Sequence, residues 1–165
     1  MRTLAAIPID PLDFSAFGRV FHLDVDGPDA VAEDVADVVD RYTREPVVTG
    51  EVHLGLTTGP ALPFAVSRME RHPHTQEALI CLDGPVALLL SDDPGTRPTA
   101  ASTRAFLVRP GQCISLHANI WHSVGMGAHG PSRYCWLAGV SGSPESPWAE
   151  MLDGPVRVAL PDTAR

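Results

Sequence analysis

Residues 70–84 read Glu70-Arg71-His72-Pro73-His74-Thr75-Gln76-Glu77-Ala78-Leu79-Ile80-Cys81-Leu82-Asp83-Gly84, and the fold turns on how this stretch is read. Two imidazoles and two carboxylates are followed directly by an apolar run at 78–82. Along a strand, alternate residues share a face. Glu70, His72 and His74 can therefore line one side, while Glu77 opens the next strand after a break and points back. A second stretch, Pro110-Gly111-Gln112-Cys113-Ile114-Ser115-Leu116-His117-Ala118-Asn119-Ile120-Trp121-His122, places an apolar strand ahead of two more histidines. Histidines scattered through a chain are usually structural or exposed. Gathered with carboxylates, they make a mixed nitrogen and oxygen donor set suited to one divalent metal ion such as Ni, Mn, Fe, Co or Zn.

Outward from these stretches, the text is strand language. Residues 52–56, 64–66, 86–90, 105–108, 113–116 and 134–140 are short apolar runs. They are separated by turn signals such as Thr58-Gly59-Pro60, Asp83-Gly84-Pro85 and Arg109-Pro110-Gly111. Short strands at close spacing, in a chain with 14 Gly and 16 Pro, indicate a sandwich or barrel. Near the start, Asp10 as N-cap, Pro11 at the first helical position and Gly18 at the C′ position predict a short helix. Leu12, Phe14 and Phe17 would supply its apolar contacts. From 28 to 42 the pattern is divided. Val31, Val35, Val38 and Tyr42 have helical spacing, yet a surface loop reads equally well. The expectation is one domain over 1–165: a helix and excursion at about 10–45, a barrel at about 47–140 and a C-terminal wrap at about 141–165.

Charge narrows the function. The formal net charge is −8, which repels phosphate backbones and anionic lipid, so neither nucleic acid nor a membrane is expected as a partner. There is no Lys, which removes Schiff-base chemistry. The twelve fixed cations are all Arg, whose planar fork suits a carboxylate. Cys81, Cys113 and Cys135 lie far apart in apolar runs and read as buried small hydrophobes in a reducing compartment. No apolar run is long enough to span a bilayer, and a cytoplasmic location is the expectation.

The two histidine stretches resemble the paired motifs of the cupins. Glu77 followed six residues later by Gly84 is similar to the first motif, and Gly111 with Trp121-His122 to the second. Together with Phe14-Ser15-Ala16-Phe17-Gly18, Glu70-Arg71-His72-Pro73 and Arg104-Ala105-Phe106, they resemble the ureidoglycolate lyase family over roughly residues 4–140. Those cupins split ureidoglycolate into glyoxylate and urea.

The resemblance implies an all-β fold, a cupin double-stranded β-helix or jelly-roll barrel, with a short N-terminal helix. It also implies that His72, Glu77 and His122 meet around one metal ion. Glu70 is the favoured fourth ligand, with His74 as the alternate. Family members commonly carry Gln where Glu77 stands, so this site has an extra carboxylate. The substrate implied is small, polar and carboxylate-bearing, and cleavage of its C–N bond needs proton transfer and a carboxylate clamp. His117 is the candidate acid or base and Arg104 the candidate clamp. The structural alternatives are a capped turn for His117 and a barrel brace for Arg104. A homodimer is the implied assembly.

Two departures accompany the resemblance. Arg41-Tyr42-Thr43-Arg44 lacks the His and Asp of the family's corresponding segment. Leu137-Ala138-Gly139-Val140-Ser141 lacks the acidic residue and Arg that end the family's last core strand. The metal half of the site is kept and the substrate half is altered. The competing classes are a cupin that binds a small ligand without turnover and an iron-dependent cupin oxygenase.

Overall fold

The computed structural model describes residues 1–25, 27–35, 37–139 and 147–162. In chain order, β1 (Arg2–Ala5) and β2 (Ile7–Pro8) precede α1 (Pro11–Phe14) and β3 (Gly18–His22). β4 (Ala30–Val35) and β5 (Val38–Thr43) form a hairpin, followed by β6 (Val52–Gly59), β7 (Phe64–Val66), β8 (Arg68–Glu70) and β9 (Glu77–Cys81). Next come β10 (Val86–Ser91), β11 (Thr103–Val108), β12 (Gln112–Leu116), β13 (Trp121–His122), β14 (Met126–Gly127) and β15 (Ser132–Gly139). β16 (Trp148–Glu150) and β17 (Val156–Ala159) end the series.

Two sheets face each other. One runs β3-β12-β9-β15-β6; the other runs β16-β8-β13-β10-β11-β2, with β14 also on β10. This is the jelly-roll arrangement expected from the strand pattern. Leu79, Leu88, Leu90, Phe106, Ile114 and Leu116 fill the space between the sheets. β10 explains how a continuous apolar run becomes a strand. Val86, Leu88 and Leu90 point into this core, while Ala87 and Leu89 point into a second one with Met69, Trp121, Val156 and Val158. With both faces covered, all six residues are buried, so no polar alternation is needed. The second core is closed by a three-stranded sheet, β1-β17-β7. The described C-terminal residues thus cover the outside as paired strands, β16 on β8 and β17 between β1 and β7. Residues 140–146 lie outside the described residues, so the Val140-Ser141 end of the family comparison does too.

The N-terminal helix forms as read at its start. The Asp10 carboxylate accepts from the backbone N–H of Leu12 at 2.9 Å, which satisfies a donor the first helical turn leaves unpaired. Its end differs: the cap is Ser15, and Gly18 begins β3. Gly18 serves close approach, because a Cβ there would collide with the Ser115 carbonyl oxygen on β12. Phe14 and Phe17 pack edge-on against Phe106, with centroids 5.3 and 5.4 Å apart, a favoured aromatic geometry; Leu12 is exposed. The 28–42 stretch is neither helix nor loop but the β4–β5 hairpin, with Val31 opposite Tyr42. Three-and-four spacing of valines does not exclude a strand, and β-branched residues favour one.

Cys81 and Cys113 are free and buried. Burial pushes the Cys81 thiol up to about 11 and Cys113 up to about 12, which keeps both inert as thiols. Among the described residues no helix is long and apolar enough to cross a membrane.

Candidate metal centre and its cavity

Glu70 ends β8 and lies directly opposite His122 on β13, so strand pairing alone brings these two side chains together. His72 follows the end of β8. Its carbonyl accepts from the backbone N–H of Asn119 at 2.8 Å, and Asn119 adopts φ 71°, a left-handed conformation that Asn tolerates well. Glu77 opens β9 on the other sheet, between Leu116 of β12 and Ala138 of β15. The cluster therefore bridges the two sheets.

The distances are short. His72 Nε2 lies 3.1 Å from Glu77 Oε2 and 3.9 Å from Glu70 Oε2. His122 Nε2 lies 3.3 Å from Glu77 Oε2 and 3.6 Å from Glu70 Oε1. Glu70, His72 and His122 each offer one donor atom, all within 4.8 Å of one another. The strand ends at Glu70, so alternation does not extend to His74. That residue is exposed in the turn at 73–74 and does not join the group, whereas Glu70 does.

The electrostatics are those of a buried ion cluster. Burial opposes charge on Glu77, but His122 and His72 hold its carboxyl down at about 2. Burial likewise opposes charge on His122, but Glu77 and Glu70 push it up to about 10. His122 Nδ1 lies 3.1 Å from the Ile120 carbonyl oxygen, so its proton is held there and Nε2 faces the carboxylates. Nε2 is buried and has no hydrogen-bond partner among the described residues. A buried ring nitrogen aimed at carboxylate oxygens, on an imidazole whose other nitrogen is held by a backbone carbonyl, is the arrangement of a metal-ligating imidazole once a cation displaces its proton. The residues present fit a divalent cation.

The cluster opens into a cavity of about 440 Å³. His53, Thr57, Tyr134, Trp136 and Val124 line it beyond Glu70, His72 and Glu77. The sequence reading passed over all five. The signal was present in β6, where His53, Gly55, Thr57 and Gly59 alternate with Val52, Leu54 and Leu56. In a barrel enclosing a polar site, the small and polar set faces in and the apolar set faces out, the reverse of the usual rule. Leu54 and Leu56 are 71% and 61% exposed.

His117 and Arg104 are not among the lining residues. His117 is exposed, its Nε2 3.3 Å from the Ser15 carbonyl oxygen. Arg104 is exposed, donates to the Asp13 carbonyl at 3.2 Å and pairs with the Asp13 carboxylate at 3.5 Å. It lies over the Phe106 ring at 5.1 Å, bracing α1 against β11. Arg71 points away from the cluster and stacks on Trp121, 4.3 Å from its ring centroid.

Comparison with known proteins completes the description. A family model described as ureidoglycolate lyase matches residues 1–153. A ureidoglycolate lyase of Pseudomonas syringae is 27% identical over 128 residues, 74% of each chain. One of Salmonella paratyphi B is 28% identical over 130 residues, 72% of this chain and 76% of the relative. Among solved structures, a 3,4-ketoisomerase from Helicobacter canadensis matches with TM-score 0.51 at 12% identity, covering 79% of this chain and 88% of its own. The 3′-monoepimerase ChmJ from Streptomyces bikiniensis matches with TM-score 0.52 at 9% identity, covering 89% and 72%. At such identities these two resemblances concern the fold alone.

Proposed function

Because the chain belongs to the ureidoglycolate lyase family, we propose that this lyase is metal-dependent and breaks the C–N bond of a small carboxylate-bearing carbinolamide, with ureidoglycolate giving glyoxylate and urea as the reference reaction. The observation that carries the reading is His122 Nε2, buried without a hydrogen-bond partner and 3.3 Å from Glu77 Oε2. His72, His122, Glu70 and Glu77 would hold the cation. Once bound, it supplies a Lewis acid that lowers the pKa of the substrate hydroxyl and balances its carboxylate.

The chain's own groups have three tasks. Ile120 fixes the His122 tautomer. The half-buried carboxylates Glu70 and Glu77 keep the cluster anionic enough to retain a divalent ion at the cavity floor. His53, the remaining imidazole on the described cavity wall, is the proposed carrier of the proton from the hydroxyl to the departing nitrogen, a role suited to imidazole near neutrality. We assign no catalytic task to His117 or Arg104, since both are engaged on the outer surface beside α1.

The assembly proposed is a homodimer through the edge strand β6. What supports it is the apolar outward row Val52, Leu54 and Leu56, unusual for an exposed edge. A monomer by sedimentation equilibrium would remove this part.

The experiment is metal analysis of natively purified protein together with a glyoxylate-release assay on ureidoglycolate. Stoichiometric divalent metal and turnover are expected. Changing a residue that only orients a ligand costs roughly 10–100-fold. Removing a ligand should cost more, so His72→Ala is expected to lose at least about 100-fold in activity and its metal, with an unchanged circular dichroism spectrum. Bound metal without glyoxylate from any carbinolamide would sink the lyase reading and favour ligand binding alone. Iron with oxygen consumption would favour an oxygenase.

A further inference from the structure

The substrate class, resting on the lyase reading, is written in the wall formed by β15 and β6. Trp136 lies opposite Gly55 in the strand register, and its indole passes directly over that glycine: a Cβ at Gly55 would collide with Cε2 and Cζ2 of the ring. The ring is held in plane by its Nε1–H, which donates to Thr57 Oγ1 at 3.2 Å. The Tyr134 hydroxyl beside it accepts from the backbone N–H of Gly125 at 2.9 Å. The Trp136 and Gly125 N–H groups are thus satisfied within the wall. Trp136, Val124 and Ala138 give this side of the cavity an apolar lining.

No Arg, Asn or Gln is among the described lining residues. A ureido group entering here would give up water around its N–H and C=O groups and find few free partners, which is costly. The cavity of about 440 Å³ falls in the roughly 300–1,000 Å³ range that takes drug-sized ligands, more than a urea beside a two-carbon acid requires. With hydroxyl and carboxylate directed to the cluster, the group on the nitrogen side meets the Trp136 wall.

We propose that this chain's substrates are N-acyl-α-hydroxyglycines, RC(O)–NH–CH(OH)–COO⁻, in which R is a flat apolar group stacked on Trp136. The hydroxyl loses its proton and its electron pair forms the carbonyl of glyoxylate. The C–N bond breaks, and the nitrogen takes its pair and one proton to leave as the amide RC(O)NH₂. No water, oxidant or reductant is consumed. Trp136 is a specificity-determining residue in this scheme, and Gly55 and Thr57 position it.

The test uses metal-loaded protein and two unreactive analogues without the hydroxyl, N-benzoylglycine and N-carbamoylglycine, with affinities read by calorimetry. N-benzoylglycine is expected to bind at least 10-fold more tightly. Trp136→Ala should cut that preference below threefold, Gly55→Ala should do the same by displacing the ring, and Trp136→Phe should keep at least half of it. Equal or reversed affinities, or a preference that survives in Trp136→Ala, overturn the proposal. Glyoxylate release separates it from the lyase reading. Release from N-benzoyl-α-hydroxyglycine supports both. Release from ureidoglycolate alone overturns the substrate class and leaves the lyase standing. Release from neither overturns the lyase reading and the substrate assignment with it.

Discussion

The cavity has two walls that treat polar atoms in opposite ways. At the cluster, half-buried carboxylates crowd two imidazoles, and the buried His122 Nε2 has no hydrogen-bond partner among the described residues. On the β15–β6 wall, the Trp136 N–H is satisfied by Thr57 and the Gly125 N–H by the Tyr134 hydroxyl. An unsatisfied buried polar group is costly and persists where a ligand completes it; a satisfied one contributes shape and little else. In the proposed reading, the cation belongs to the wall left incomplete and the fit of the substrate to the side that Trp136 forms.

The contrast breaks most severely if the cluster's charge is removed. Glu70→Gln with Glu77→Gln leaves two imidazoles and no anion. We expect metal affinity to fall by at least about 100-fold, measured by competition with a chelating dye, given that mere orienting groups are worth roughly 10–100-fold. Retained affinity would mean the ion is held elsewhere.

A smaller effect is expected in the thermal stability of metal-free protein. Glu77 is held at about 2, below its usual 4.5, so its contribution is present above about 4.5 and is lost as pH falls toward 2. His122 is raised to about 10 from 6.5, so its contribution is present below 6.5 and is lost as pH climbs through 10. The melting temperature of the metal-free form should therefore be flat between these limits and fall on both sides. Added metal should reverse the alkaline limb, because cation and proton compete for the same nitrogen. A metal-free protein whose stability rises from pH 7 to 9 would contradict the cluster as described.

The smallest effect is reserved for the residues outside the cavity. His117→Ala should retain activity within about twofold, since only its exposed contact with the Ser15 carbonyl is lost, and exposed polar contacts contribute little. A loss of 100-fold would restore His117 to the chemistry and weaken the assignment to His53.

The barrel and most of the cluster were legible because their signals are local. Glu70 and His72 sit two apart beside an apolar strand, Trp121-His122 follows another, and turn residues mark the breaks. The positions of His117 and Arg104 were not legible because residue type says nothing about direction: one sits on the exposed β12–β13 turn, the other on the outward side of β11 against Asp13. The 28–42 hairpin misled because its valines suit two periods at once.

The sequence by itself determined the all-β class and the absence of any Lys, and the family resemblance implied which residues gather at the candidate site. The first two follow from composition and from the two-residue period of a strand, which needs no knowledge of what lies opposite. Only the tertiary structure decided that Glu70 and not His74 joins the cluster, that β6 turns its polar face inward, and that Trp136 lies over Gly55. Those outcomes depend on which strands become neighbours across two sheets, and pairing between residues tens of positions apart is set by the packing of the whole barrel rather than by any local stretch of chain.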